Sequence, residues 1–576
     1  MKSSSKSAIA FITILILMSA IMLPRIIELD RFVTVDEPLW LIVSANFYYA
    51  LGQRDFERTV YANHPAVTTM WIITAGFLTY FSEYRGLGQG YIEKYRDYDR
   101  IFSLHNKRPL ELLKRSRIIS VIINSFLLLI SFGLLLNLYG KAIAWIVTLL
   151  IAFDPYFLGH SRLLNHEAMM SLFILLSFLA AMVFIEKKSH WVFWVISSIS
   201  AGLALLTISP SIIVIPLVGL MLGFKYISQW KKQSLYGLWL GYFKWMLLFI
   251  GILCLVYVVL WPGMWVNPGK MLYEVFGNAI SYAFQGSRLD VAKGLNPSRF
   301  SLDSSGIIPY LTSLFWRTTP ITWLGVFFGC IGFFACIGKK ANKTDSTFDP
   351  VIMRSYFYLG LLALFFVFIF GIAKGRNSPH YILMSFVCLE VIAGIGLVGT
   401  IRWIGARIKP ANPGWVVILL ATSLLGVHIA SGISQFPYYY TYLNPLMRLL
   451  VKGNPDAGYG EGLEKAGEYL SNKPNGSTLT AISWFGYGPF SYFFSGQFIH
   501  MPPTDIIEPS SLEDIRQSDY LVVYDIYQKR FYRPALLMDS LNGISPEKII
   551  KINNLDYVSI YKVSDLPESL FKSVNQ

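Results

Sequence analysis

Charge is scarce in this chain: Asp, Glu, Lys and Arg make up only 15% of 576 residues, against roughly 25% in a soluble domain. With 54% hydrophobic and 16% aromatic residues and a mean hydropathy of +0.48, that shortage excludes an ordinary water-soluble globule and indicates a membrane protein. Cysteine is scarce too. Cys254, Cys330, Cys336 and Cys388 all lie inside apolar runs, none forms a Cys-x-x-Cys pair and none falls in a long polar segment, so they read as packing residues. No repeat of fixed period is visible. The net charge of +14 does not indicate nucleic acid, because Lys and Arg fall mainly in short segments between apolar runs, where they set topology.

What the chain has in quantity is apolar runs of spanning length. About eleven stretches reach the ~20 apolar residues that a membrane helix needs: 8–27, 116–138, 141–157, 168–185, 191–207, 210–228, 245–262, 314–337, 355–373, 381–400 and 414–434. The expected fold is therefore an all-α multi-pass bundle over residues 1–435, followed by a small α/β domain over 436–576. The first run follows Lys2 and Lys6, and no clear small-residue cleavage site follows it, so it reads as a helix with a cytoplasmic N-terminus. A further run, Val67 to Phe81, is read as not crossing. That choice puts Lys187, Lys188, Lys225, Lys231, Lys232, Lys339, Lys340, Lys343, Arg402, Arg407 and Lys409 on the cytoplasmic side, as the positive-inside rule requires. Three long connections then become external: 28–115, 263–313 and the C-terminal stretch from about 435. In the last, Glu461 to Leu470 has helical periodicity, and Thr478 to Ser483, Tyr520 to Tyr524 and Tyr557 to Tyr561 read as strands.

Ionisable residues in the external segments are the candidates for chemistry. Asp36-Glu37, before Pro38 and an aromatic amphipathic stretch, reads two ways: as a functional carboxylate pair at the membrane surface, or as the acidic start of a helix. His64 lies in Asn63-His64-Pro65, as a ligand, an acid/base or a turn residue. Asp97-Tyr98-Asp99 reads as a metal-binding triplet or a solvated loop. The segment Asp154 to Glu167 packs His160, Arg162, His166 and Glu167 between two apolar helices, where such residues tend to line a substrate path. His166-Glu167 is not a zinc-protease helix, since the second His four residues on is missing. Lys374 to Tyr381 is a basic external cluster suited to an anionic head group, as are Lys114, Arg115 and Arg117; positioning at lipid head groups is the alternative.

Taken in order, several of these segments resemble a known group. Asp36-Glu37, Asn63-His64-Pro65, His160 to Glu167, Trp261 to Trp265, Thr318 to Pro320 and Arg376 to Tyr381 are similar to segments of the protein O-mannosyltransferases and aminoarabinose transferases. These are GT-C fold glycosyltransferases fed by polyprenyl-phosphate sugars. Phe436 to Pro445 and Gly458 to Leu463 look like a prokaryotic branch with an external C-terminal domain.

The resemblance implies that Asp36, beside Glu37, is the catalytic base, and that Arg117, Arg162, Lys374 and Arg376 hold the donor phosphate. His64, His166, Glu167, His380 and Tyr381 would contact substrate. It implies single displacement with inversion, and transfer to a lipid, glycan or protein hydroxyl on the extracytoplasmic face of the cell membrane. This chain departs from the group's pattern at Glu167, where relatives commonly carry Asp, and at His380, where they often carry Arg. The mechanism requires no cofactor, although a divalent metal would find a site if His64, His166 and Glu167 meet. The alternatives are an oligosaccharyltransferase-like enzyme with a metal-bound pyrophosphate donor at Asp97 and Asp99, a lipid-linked-sugar transporter, and a non-catalytic scaffold.

Overall fold

The computed structural model describes residues 2–60, 65–187, 190–231, 234–280, 306–337, 350–373, 378–407, 413–450, 458–501, 509–527 and 535–572. The chain is a multi-pass membrane helix bundle with a small C-terminal sheet domain. The helices that matter for the site are α1 (Lys2–Ile26), α2 (Glu37–Gln53), α3 (Val67–Tyr80), α4 (Tyr95–Leu104), α5 (Pro109–Tyr139), α6 (Lys141–Phe153), α7 (Pro155–Ser161) and α8 (His166–Glu186). The apolar runs read from the sequence are helical, but the 314–337 run is two helices, Ile307–Arg317 and Pro320–Ile337, broken at Thr318-Thr319, and 141–157 is divided between α6 and α7. Among the described residues six helices are long and apolar enough to cross a membrane, seven if the bent pair α6–α7 is one span; the others are shorter. The Val67 run is α3, one of those shorter apolar helices.

Burial sorts the bundle from inside to outside. The apolar window of α8 is wholly buried, whereas only 22% of that of Leu235–Leu260 is covered by protein. The first is apolar on every face because it has protein all round; the second presents Leu240, Phe243, Leu247 and Leu255 outward, where lipid takes the place of core. α8 is thus the axis about which the site is built.

The α6–α7 break turns the chain by 67°. Its cause is local: Asp154 leaves the helical path and caps α7 through Phe157 N (2.7 Å), with Pro155 at the first helical position. Buried Arg25 locks the bend to α1, donating from Nε to Ser161 Oγ (2.8 Å) and from its terminal nitrogens to Ala152 O (2.9 Å) and Ile21 O (2.7 Å). Asn165 then caps α8 through Ala168 N (3.2 Å).

In the C-terminal domain five strands, β1 (Thr480–Ser483), β2 (Gln497–His500), β3 (Tyr520–Tyr524), β4 (Lys548–Ile552) and β5 (Leu555–Lys562), form one sheet of order β2-β1-β3-β5-β4. β1 runs parallel to β2 and β3, while β5 is antiparallel to β3 and β4. Central β3 is buried throughout. Its alternating side chains serve two cores, Tyr520, Val522 and Tyr524 packing toward the bundle side and Leu521 and Val523 joining a separate cluster with Ile482, Leu512 and Ile515. The reading of β1, β3, β5 and the helix Leu463–Ser471 matches the structure, whereas β2 and β4 went unread.

The domain is fastened by tyrosines. Tyr439 donates to Pro24 O (2.9 Å), Tyr440 to Glu461 Oε2 (2.8 Å), and Tyr438 to Glu464. Gly159 allows this: a Cβ there would lie 2.7 Å from the Tyr440 backbone nitrogen. Gly460, at φ +113°, lets the chain pass against the Val33 carbonyl, and Val35 N donates to Tyr459 O (3.1 Å). The C-terminal domain therefore sits on the end of the bundle that carries the first loop.

Candidate active site

Two adjacent carboxylates start α2 and meet opposite fates. Glu37 is buried, at 1% exposure, and saturated. Arg117 forks onto both its oxygens, with Nε to Oε1 at 2.7 Å, while Thr34 N and Oγ1 donate to Oε2 (both 2.9 Å) and Leu164 N to Oε1 (3.0 Å). Burial pushes the Glu37 carboxyl up, but the Arg117 charge and these donors outweigh it and hold the group below the usual carboxylate range. Asp36 is half-buried and caps nothing with its side chain. Tyr459 is the one hydroxyl donating to it among the described residues, at 2.7 Å onto Oδ2. Burial, then the Asp36 charge, pushes the Tyr459 phenol well up, so it stays a donor.

Next to Tyr459 lies a chamber of rings and imidazoles. His160, on α7, sits 5.7 Å from the Tyr459 ring, 5.8 Å from His380 and 5.5 Å from Tyr440. It is 1% exposed, and neither ring nitrogen has a hydrogen-bond partner among the described residues. A buried polar pair left so is costly unless something else enters. Glu167 lies between two further imidazoles, its Oε1 3.5 Å from His166 Nε2 and 4.0 Å from His380 Nε2. Trp40 packs edge-on to His166, with ring centroids 4.7 Å apart, and Tyr381 stacks on Phe370 at 5.3 Å. The structure thus brings Asp36, His166, Glu167, His380 and Tyr381 toward one chamber, and adds His160, Tyr459 and Tyr440.

Several residues expected to face substrate are instead engaged by the fold. Glu37 is not an available catalytic group, because every contact it makes holds the first loop to α5 and to the turn before α8. Arg117 is not a free phosphate holder: besides Glu37 it donates to Leu29 O and to Phe32 O (2.9 Å). Arg162 likewise spends its terminal nitrogens on backbone, reaching Pro437 O (3.1 Å), Glu28 O (3.0 Å) and Ile27 O. Lys114 pairs with Asp30 (2.7 Å) and Arg115 lies 5.1 Å over the Tyr80 ring, so the basic stretch before α5 fastens the loop. His64, Lys374 and Arg376 lie outside the described residues.

The Asp97-Tyr98-Asp99 triplet is helical, within α4, and not a solvated loop. Residues two apart on a helix point to different sides, and here Asp97 is exposed while Asp99 has a buried Oδ1, so the two do not form a chelating pair. Among the described residues no group of three His, Cys, Asp or Glu is placed to hold a metal ion.

Arg317 was missed. It is buried at the end of Ile307–Arg317, donates to Tyr440 O (2.9 Å) and lies 4.9 Å over the Tyr156 ring, bracing the chamber from behind. In the sequence Arg317 falls inside the run 314–337, read there as one span; the Arg-Thr-Thr-Pro that interrupts this run was the signal of the break.

Residues 91–265 match the family model described as dolichyl-phosphate-mannose-protein mannosyltransferase. That segment runs from just before α4 to Trp265 and contains Arg117, His160, Arg162, His166 and Glu167. The chain carries a glycosyltransferase core. The resemblance read from short motifs is borne out, and with it the reading of the chain as a membrane enzyme of the glycosyltransferase class. Among solved structures, ArnT from Cupriavidus metallidurans bound to undecaprenyl phosphate is similar at TM-score 0.49 and 12% identity, over 95% of this chain and 97% of that one. The Archaeoglobus fulgidus oligosaccharyltransferase in complex with Zn and sulfate is similar at TM-score 0.49 and 13% identity, over 88% of this chain and 67% of that one. No curated protein matches.

Proposed function

We propose that this chain transfers a sugar from a polyprenyl-phosphate carrier to an acceptor hydroxyl, with Asp36 as the base, on the extracytoplasmic face that the C-terminal domain covers. The observation that carries the reading is the contrast at the start of α2. Of two neighbouring carboxylates, Glu37 has its acceptor positions filled by Arg117, Thr34 and Leu164, while among the described residues Asp36 remains half-buried with one tyrosine donor, beside a chamber whose buried His160 lacks partners.

In this reading Asp36 takes the proton of the acceptor hydroxyl as that oxygen attacks the anomeric carbon and the bond from that carbon to the phosphate oxygen breaks. The carrier phosphate leaves with the bonding electrons, and a single displacement inverts the anomeric centre. Tyr459 orients the Asp36 carboxylate. His160 offers one donor and one acceptor to hydroxyls of the bound sugar or acceptor, and Glu167 fixes the rings of His166 and His380. With Arg117 and Arg162 engaged, the phosphate is assigned to Lys374 and Arg376 of the candidates read from the sequence. No step is routed through a metal, and the displaced Asp97 and Asp99 weigh against the pyrophosphate-donor alternative.

The test is transfer of radiolabelled sugar from polyprenyl-phosphate mannose, and from a small donor panel, to membrane extract by purified wild type and Asp36→Asn, with and without chelator. Chelator-insensitive transfer that disappears in the variant is expected. Retention of transfer in Asp36→Asn overturns the base assignment, and chelator-sensitive transfer from a pyrophosphate donor overturns the donor class.

A further inference from the structure

Away from the Asp36 chamber, a second group of buried polar atoms lacks partners. It gathers where α4 and the turn after it meet the segment Tyr487 to Tyr492 of the C-terminal domain. Tyr98 Oη and Asp99 Oδ1 are buried with no hydrogen-bond partner among the described residues, and beside them Tyr84 pairs with Gln89 and Tyr492 with Tyr487. Tyr84 and Tyr98 are 0% exposed. Tyr98 lies within electrostatic reach of Tyr492, Tyr84 and Asp99, so these groups form one cluster. Nearby contacts do not saturate it: Tyr487 donates to Tyr95 O (2.9 Å) and stacks at 4.3 Å on the Tyr95 ring. A few unsatisfied buried groups per hundred residues is usual; a phenol and a carboxylate oxygen left so side by side, at the edge of a cavity, call for an occupant.

The cluster borders a cavity of about 420 Å³ lined by Asp99, Ser103, Lys107, Arg108, Leu110 and Tyr492, among others. That volume falls within the roughly 300–1,000 Å³ of small-molecule sites. Its lining discriminates between ligand classes. A free anion would face the Asp99 carboxylate, which burial pushes up to about 6 against the opposing pull of Tyr487. A free cation would face Lys107 and the exposed Arg108. A neutral ligand carrying several hydroxyls suits both, donating to the carboxylate and phenol oxygens while accepting from the basic groups and the phenol hydroxyls, with tyrosine rings beside it for its apolar faces.

We infer that the cavity between α4, the 103–110 turn and Tyr492 binds a neutral carbohydrate, at a site separate from the Asp36 chamber. The inference goes beyond the transferase reading, and its test is binding alone. The full chain, held in phosphatidylcholine nanodiscs so that no sugar-headed detergent competes, is titrated with methyl mannoside, mannobiose and maltose, with glucuronate and glucosamine as charged controls, by calorimetry and saturation-transfer NMR. At least one neutral saccharide is expected to bind more tightly than either charged control. Asp99→Asn, which removes a charge-assisted hydrogen bond, weakens it about tenfold or more, and Tyr492→Phe weakens it about threefold to tenfold. Both variants elute as wild type on size exclusion and melt within a few degrees of it in the same nanodiscs, which shows that they fold. No saccharide binding at tens of millimolar, tighter binding of a charged control, or equal affinity in wild type and both variants overturns the site.

Discussion

Around Glu37 each hydrogen-bonding position is filled, whereas the chamber beside Asp36, one peptide bond away, keeps buried polar atoms with no partner among the described residues. The first arrangement is what a fold does with a charge that it cannot expose: Arg117 supplies a fork, two backbone N–H groups and a hydroxyl complete the shell, and the pair holds the first loop against α5. The second arrangement makes no sense as stability, because an imidazole buried without partners costs free energy. It makes sense as preorganisation, in which the missing partners arrive with the substrate. On the proposed reading, adjacent residues of the same chemistry are divided between holding the site and working in it.

That division can be broken from either side. The largest effect is expected for Asp36→Asn, which removes the base and lowers transfer by about 10²- to 10⁴-fold while the thermal unfolding midpoint stays near that of wild type, read by transfer assay and by melting in the same membrane mimetic. Breaking the saturated side works in the other sense. Arg117→Met leaves Glu37 buried without its cation and costs about 3–5 kcal/mol of stability, seen as loss of folded protein on size exclusion before any kinetic defect can be assigned.

His160→Phe sharpens the contrast. It replaces polar atoms without partners among the described residues by an apolar ring of similar size, so stability holds or rises, while transfer falls about 10- to 100-fold if the ring meets substrate. A melting midpoint that drops by many degrees would instead make His160 a structural residue.

The C-terminal attachment supplies a pH test. Burial raises the Glu464 carboxyl to about 7, above its unfolded value of about 4.3. The folded state therefore binds more protons than the unfolded state between those values. The contribution is fully present below about pH 4.3 and is lost as pH rises through about 7. Melting followed across that window should show this loss, on the order of 3–4 kcal/mol, and Glu464→Gln should flatten it. The smallest effect belongs to Tyr459→Phe, which removes one hydrogen bond to Asp36 and lowers transfer about fivefold to tenfold, with a shifted pH–rate profile as the sign that the phenol acts through Asp36.

Much of the bundle was legible because lipid imposes a length and a composition on each spanning helix. The helix Leu463–Ser471 and strands β1, β3 and β5 were legible through periodicity and turn residues. β2, Gln497–His500, was not, because its residues are exposed or half-buried at the sheet edge and lack a clear apolar alternation. The site was half legible. Sidedness placed Asp36, His160, Glu167 and His380 toward one region, yet it could not separate a cation facing substrate from one facing its own fold. Arg117 lies 80 residues from Glu37, and Arg162 meets Pro437 across 275; such partners appear only once helices are packed. The same distance in sequence hid the pairing of Tyr459 with Asp36, 423 residues apart.

The central claim is the split between Asp36 and Glu37, and the most direct measurement takes Asp36→Asn and Glu37→Gln through one preparation, recording single-turnover sugar transfer and thermal unfolding for each. The account predicts that Asp36→Asn melts like wild type and is nearly inactive, while Glu37→Gln loses several degrees or fails to fold, and whatever folded fraction remains turns over at a rate within about tenfold of wild type. A stable, inactive Glu37→Gln beside an active Asp36→Asn would contradict it.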